Sequence, residues 1–263
     1  MDHPSSGFAT GERLRLARAR PWVLAMAAAL LGASALAQTA SPGAPLPAAR
    51  IAEIVASPDR TDADRINDVR RKPAEVLAFI APRTGMTVLD VSSGGGYTTE
   101  LLARSVGPGG KVYAQVPRAA GSSLSARLAR FPQIALVVQP FDNPVPPAAA
   151  PGTLDLVTLM FNYHDLGPLG LDRDKLNKAV FAALKPGGTY VLADHAARPG
   201  AGISEANTTH RIEESFLRAE VERAGFRLAA TGDFLRNPND PRDKETPEPA
   251  QPKDEFVLKF VKP

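Results

Sequence analysis

The chain has 263 residues, 44% of them hydrophobic and 22% charged, with no cysteine and a formal net charge of +3. That is enough apolar material for one buried core, and the missing thiols exclude disulfides, thiolate catalysis and cysteine metal sites. Arg13, Arg15, Arg18 and Arg20 carry most of the positive excess, and no basic run interleaved with aromatics follows them, which argues against a nucleic-acid surface.

Those arginines precede an apolar run over residues 22–31 and the triplet Ala35-Leu36-Ala37 before Gln38, so residues 1–37 read as a secretory signal peptide, with an uncleaved anchor as the alternative. The run is short for a membrane span, so no stable insertion is expected after cleavage, and the chain is expected to be exported, periplasmic or secreted. Residues 38–49, rich in Ala, Pro, Ser and Gly, read as a flexible linker, and 50–263 as a single domain. Ile51, Ile54 and Val55 share a helical face. Residues 60–72 are highly charged and read as a solvated helical face, with Arg70, Arg71 or Lys72 as candidates to border a cleft. Pro73 suits the first turn of a helix over 74–80.

Residues 88–91 read as a strand buried on both faces; Ser92, Ser93 and Gly94 to Gly96 turn the chain, and 98–103 begin a helix. A turn of this kind brings backbone N–H groups and a helix start to a polar, partly anionic small molecule. A dinucleotide fingerprint would need a third glycine where Thr99 stands, and the next strand ends in Gln115 rather than a ribose-binding acid. Strands are expected over 112–116, 134–138 and 154–161, with a short helix over 124–128. Leu176, Ala179, Val180, Ala183 and Leu184 mark a helix ended by Lys185-Pro186-Gly187-Gly188. A fifth strand over 190–193, a helix over 212–224 and two alternating strands at Phe226, Leu228, Ala230 and at Phe256, Leu258, Phe260 complete the order. Residues 236–253, dense in Pro, Asp, Asn and Glu, read as a solvated insertion, with a lid over the site as the alternative. The order implies an α/β fold, a doubly wound, mostly parallel seven-stranded sheet with an antiparallel last strand.

The run from Asp90 to Gly96 resembles the first motif of class I S-adenosylmethionine-dependent methyltransferases, an acid followed by G-x-G-x-G with Ser92 at the first glycine position. Leu154-Asp155-Leu156-Val157 with Asn162-Tyr163-His164-Asp165 resembles that family's fourth strand and loop, and Leu184 to Gly188 with Tyr190 to His195 its fifth-strand motif. The Asn162 to Asp165, Asp194-His195 and His210-Arg211-Ile212 segments look closest to a group of exported bacterial methyltransferases. The resemblance implies a Rossmann-like methyltransferase fold, S-adenosylmethionine as cofactor and an unidentified, small-molecule acceptor. It also implies a cofactor site of Asp90, Ser92, Gly94, Gly96, Tyr97, Gln115, Asp142 and Asn162, in which Gln115 would take the ribose and Asp142 the adenine amino group.

For a hydroxyl or amine acceptor a general base is useful, and His164 is the candidate, with Asp165 and Tyr163 beside it. A metal site drawn from His164, Asp165, Asp194, His195 and His210 is conceivable, but no pair has helical ligand spacing and no metal is assigned. Two competing readings remain: an exported, non-catalytic small-molecule-binding protein on the same fold, favoured by Ser92 and Gln115, and an NADP-dependent oxidoreductase with Arg118 near the 2′-phosphate.

Overall fold

The computed structural model describes residues 43–263; the expected signal peptide and the first part of the expected linker lie outside the described residues. Helices α1 (Ala48–Ala56), α2 (Asp62–Arg71) and α3 (Pro73–Ile80) precede strand β1 (Thr87–Val91), helix α4 (Tyr97–Val106), β2 (Lys111–Val116), α5 (Ser122–Arg130), β3 (Ile134–Val138) and β4 (Leu154–Met160). A 3₁₀ turn at His164–Leu166 leads to α6 (Arg173–Ala183), β5 (Leu184–His195), the one-turn α7 (Ala206–Thr209), α8 (Glu214–Arg223), β6 (Arg227–Gly232) and β7 (Glu255–Val261).

The strands form one sheet in the order β3-β2-β1-β4-β5-β7-β6. β1 to β5 pair in parallel, and β7 runs antiparallel to both of its neighbours, β5 and β6. This is the doubly wound sheet expected from element order. Its two faces follow from strand alternation: Leu89 and Val91 pack with α6 and α8 residues such as Val180 and Leu217, while Val88 packs with α3, α4 and α5 through Ile80, Leu102 and Leu124. Each such side chain, once fully buried, contributes about 1.5–3 kcal/mol. Strand order reverses between β1 and β4, and in sheets of this kind the crevice beyond the carboxyl ends at that point is where ligands bind.

Three local expectations change. The charged stretch around α2 is not simply solvated: Thr61 and Asp64 form a capping box, and Arg60, 5% exposed, pairs with Asp68 at 2.6 Å. β5 starts at Leu184, before the Pro-Gly-Gly run, because Leu184 pairs with Leu154 and the next pair is Leu156 with Thr189, so residues 185–188 bulge out. α8 starts at Glu214 rather than Ile212, because the Ile212 N–H donates to His195 O (3.0 Å) and its carbonyl accepts from Ala197 (2.9 Å), extending the edge of β5. Among the described residues, no helix is long and apolar enough to cross a membrane.

Candidate active site

The turn after β1 uses left-handed backbone at Ser92 (φ 57°), Gly94 (54°) and Gly96 (84°), and side chains strap it from three sides. Asp90, buried, accepts hydrogen bonds from Thr99 Oγ1 (2.6 Å) and Thr158 Oγ1 (2.7 Å), tying β1 to α4 and β4. Gln115 Oε1 accepts from the Ser92 N–H at 2.8 Å while its Nε2 donates to Gln139 O at 2.6 Å. Arg127 of α5 donates from Nε to Gly95 O (2.9 Å) and is itself held by Asp64 (2.7 Å) and Glu100. These three sets of contacts fix the turn before any ligand arrives.

Two cavities meet on this turn, and Ser92 and Gly94 line both. One, of about 300 Å³, is polar and bordered by Arg71, Asp90, Tyr97 and Met160. The other, of about 720 Å³, is bordered by Val116, Arg118, Phe141, Leu169 and Leu171. Burial, with the neighbouring charge of Arg70, lowers the Arg71 guanidinium to about 10, so it remains a cation near neutral pH, and it stacks 4.4 Å from the Phe161 ring. The Tyr97 ring lines the polar cavity, but Arg60 and Arg71 already lie 5.6 and 5.7 Å from its centroid.

Burial pushes the Asp90 carboxyl up from 3.8 to about 6, against the pull of the two threonine hydroxyls. The fold therefore favours protonated Asp90: the stability from this group is full below 3.8 and is lost as pH rises through about 6. We expect Asp90→Asn to gain on the parent by up to about 3 kcal/mol between pH 4 and pH 7. Denaturant midpoints at intermediate pH check this, and parallel profiles for the two proteins would refute it.

Beyond the turn, Ser92 Oγ donates to Asn162 Oδ1 (2.6 Å), and Asn162 Nδ2 donates to Asp165 Oδ2 (2.7 Å). Asp165 Oδ1 lies 3.2 Å from His164 Nε2 and 3.1 Å from His210 Nδ1. On its other side, His164 Nδ1 meets Asp194 Oδ1 at 2.6 Å. Burial works against a charged His164, but the hydrogen bond and charge of Asp194, with the charge of Asp165, outweigh it and hold this imidazole above 6.5. His195, 5.5 Å away between ring centroids, goes the other way: burial lowers it.

Ser92, Gly94, Asn162, Asp165 and His164 thus share one connected region, and Asp90 orders the turn from beneath. Three expected site residues lie elsewhere. Tyr163 is fully buried in the core, where its hydroxyl donates to Glu220 (2.9 Å) and accepts from Asn177 (2.8 Å). Gln115 is fully buried with both ends of its amide bonded to backbone, so it orders the turn rather than meeting a ribose. Asp142 turns to Lys175 at 3.0 Å and does not line either cavity. Gly96 caps α4 beneath the turn. Arg127, which clasps the turn, and Val116, which lines the larger cavity, carry no sequence signal, since a buried arginine clasping a turn leaves no local pattern. A further opening of about 600 Å³ near Glu213 and Arg242 has its charges already paired, Arg236 with Glu214 and Arg242 with Asp254.

No protein-family model matches the chain, and no curated protein matches it in sequence. Solved structures do share its fold. A SAM-dependent methyltransferase from Aquifex aeolicus is 19% identical with a TM-score of 0.53, the alignment covering 78% of this chain and all of the other. The candidate methyltransferase in complex with the Haloferax volcanii Trm112 methyltransferase activator gives 16%, a TM-score of 0.56, and 81% and 97% coverage. The [4+2]-cyclase SpnF gives 16%, a TM-score of 0.54, and 76% and 81% coverage. The fold is thus the Rossmann-like methyltransferase fold, and a cyclase among its neighbours means that fold alone does not name the reaction.

Proposed function

We propose that the chain is an exported S-adenosylmethionine-dependent methyltransferase acting on a small-molecule acceptor. The observation that carries this reading is the meeting of a polar and a largely apolar cavity at Ser92 and Gly94. S-adenosylmethionine has the same division, a charged amino-acid end and a flat adenine end, and it supplies an electrophilic methyl group when bound. Arg71 suits its carboxylate, backbone N–H groups of the turn suit its polar middle, and Val116, Phe141 and Leu171 suit the base. Export is supported by the arginine-led apolar segment and the Ala35-Leu36-Ala37 triplet.

Methyl transfer is an in-line displacement, so alignment of the acceptor is the protein's main task and can supply about 7 kcal/mol or more. Acceptor activation falls to His164, Asp165 and His210, which the Ser92–Asn162–Asp165 hydrogen bonds connect to the turn. Calorimetry is expected to give one S-adenosylmethionine site per chain, weakened about tenfold or more by Arg71→Ala, a change of about 1.4 kcal/mol. No heat at millimolar cofactor would remove the proposal.

A further inference from the structure

We propose that His164, Asp165 and His210 form a binding site for a divalent transition-metal ion. Their three candidate ligand atoms lie within 4.8 Å of one another. Ligands at 2.0–2.2 Å from a tetrahedral zinc ion stand roughly 3.3–3.6 Å apart. Two of the three edges here fall just short of that length, 3.2 Å from His164 Nε2 to Asp165 Oδ1 and 3.1 Å from His210 Nδ1 to the same oxygen.

The surroundings of the ligands are what separate this cluster from an ordinary polar network. His164 presents Nε2 to the cluster because Nδ1 is engaged by Asp194, the carboxylate–histidine arrangement that orients metal-bound imidazoles. Asp194 is fixed in turn, accepting the backbone N–H groups of His164 (2.9 Å) and His195 (2.8 Å). Asp165 offers Oδ1 because Oδ2 accepts from Asn162. His210 stands in left-handed backbone (φ 51°), and the next residue, Arg211, is anchored in the core. His164 is only 3% exposed, but Asp165 at 31% and His210 at 44% leave the cluster open on one side, as a catalytic rather than a structural site requires.

Two imidazoles and a carboxylate suit zinc, iron(II), cobalt or nickel, and an acceptor oxygen on the open side would complete the shell and lose its proton more easily. On binding, the ion takes the place of any proton on Nε2, which passes to solvent. The ion's role toward an acceptor rests on the methyltransferase reading, but the site itself does not.

Equilibrium dialysis of the chelator-treated full chain against Zn²⁺, without S-adenosylmethionine, tests the site. One equivalent per chain is expected, with binding weakened a hundredfold or more by His210→Ala and by Asp165→Asn, and about 10–100-fold by Asp194→Asn. Cobalt(II) should give a visible absorption band that His210→Ala removes. The cofactor heat of His210→Ala is expected to match the parent, so loss of zinc and loss of cofactor are separable failures. Failure to take up one equivalent, or uptake that survives His210→Ala, would overturn the proposal.

Discussion

Gly96→Val is expected to destabilise the domain by about 3 kcal/mol or more, whereas Gly94→Val leaves most of the stability and removes cofactor binding. Both glycines have positive φ, so each substitution carries a backbone penalty of roughly 1–2 kcal/mol. They part company in what a side chain would meet. At Gly96 a Cβ would stand 2.7 Å from Arg127 Cδ and 2.9 Å from Leu124 Cδ1, both on α5. Relief requires α5 to move, and with it Arg127, whose bonds to Gly95, Asp64 and Glu100 hold the turn together; overpacking of this kind costs about 1–3 kcal/mol more. At Gly94 the nearest atom is Ser92 O at 4.0 Å, and the residue borders both cavities. Denaturant midpoints read the first effect and calorimetry with S-adenosylmethionine the second. Parent-like stability for Gly96→Val would show that α5 yields freely, and parent-like affinity for Gly94→Val would show that the ligand does not use this turn.

The difference between those two glycines also shows what the sequence could and could not reveal. The strand, the turn and the following helix are local, and alternation with helical periodicity orders the whole sheet, so the seven strands are legible in sequence order, while the early start of β5 at Leu184 depends on its pairing with Leu154. Side-chain direction inside a short turn is harder. Asn162 and Asp165 bond to each other, while Tyr163 and Leu166 are buried, as expected where a 3₁₀ turn puts i and i+3 on one side. The four-residue motif therefore divides between cleft and core, and Tyr163 falls on the core side. Gln115 ends a strand in the right place, but its side chain turns inward to Ser92 and Gln139. Asp142 is claimed by Lys175, 33 residues further on, a tertiary contact without local signature. The sequence offers His164, Asp165, Asp194, His195 and His210 as one set; that His210 joins His164 and Asp165 depends on α7 meeting the turn after β4.

The segment over residues 236–253 gives the second large effect, because its centre is anchored rather than free. Arg211 is fully buried and donates to Ala196 O (3.1 Å), Lys244 O (3.1 and 3.0 Å) and Asp240 Oδ2 (2.8 Å). Asp240, 5% exposed, also accepts the N–H groups of Asp254 (2.6 Å) and Arg242 (3.0 Å). Arg211→Ala leaves a buried carboxylate without its cation and two backbone carbonyls without donors, and breaking such a pair costs about 3–5 kcal/mol. Against a total stability of about 5–15 kcal/mol, that is a large share, corresponding to roughly 10 °C in Tm. Adding Asp240→Asn should recover part of the loss by removing the lone charge, but not all, since the carbonyls of Ala196 and Lys244 stay unsatisfied at about 1–3 kcal/mol each. Arg211→Lys should fall between the parent and Arg211→Ala, because an ammonium keeps the charge but cannot span Asp240, Ala196 and Lys244 with one planar fork. Thermal and denaturant unfolding of the four proteins decide the matter: an Arg211→Ala midpoint within about 0.5 kcal/mol of the parent would mean that the segment is not tied to the body through this pair.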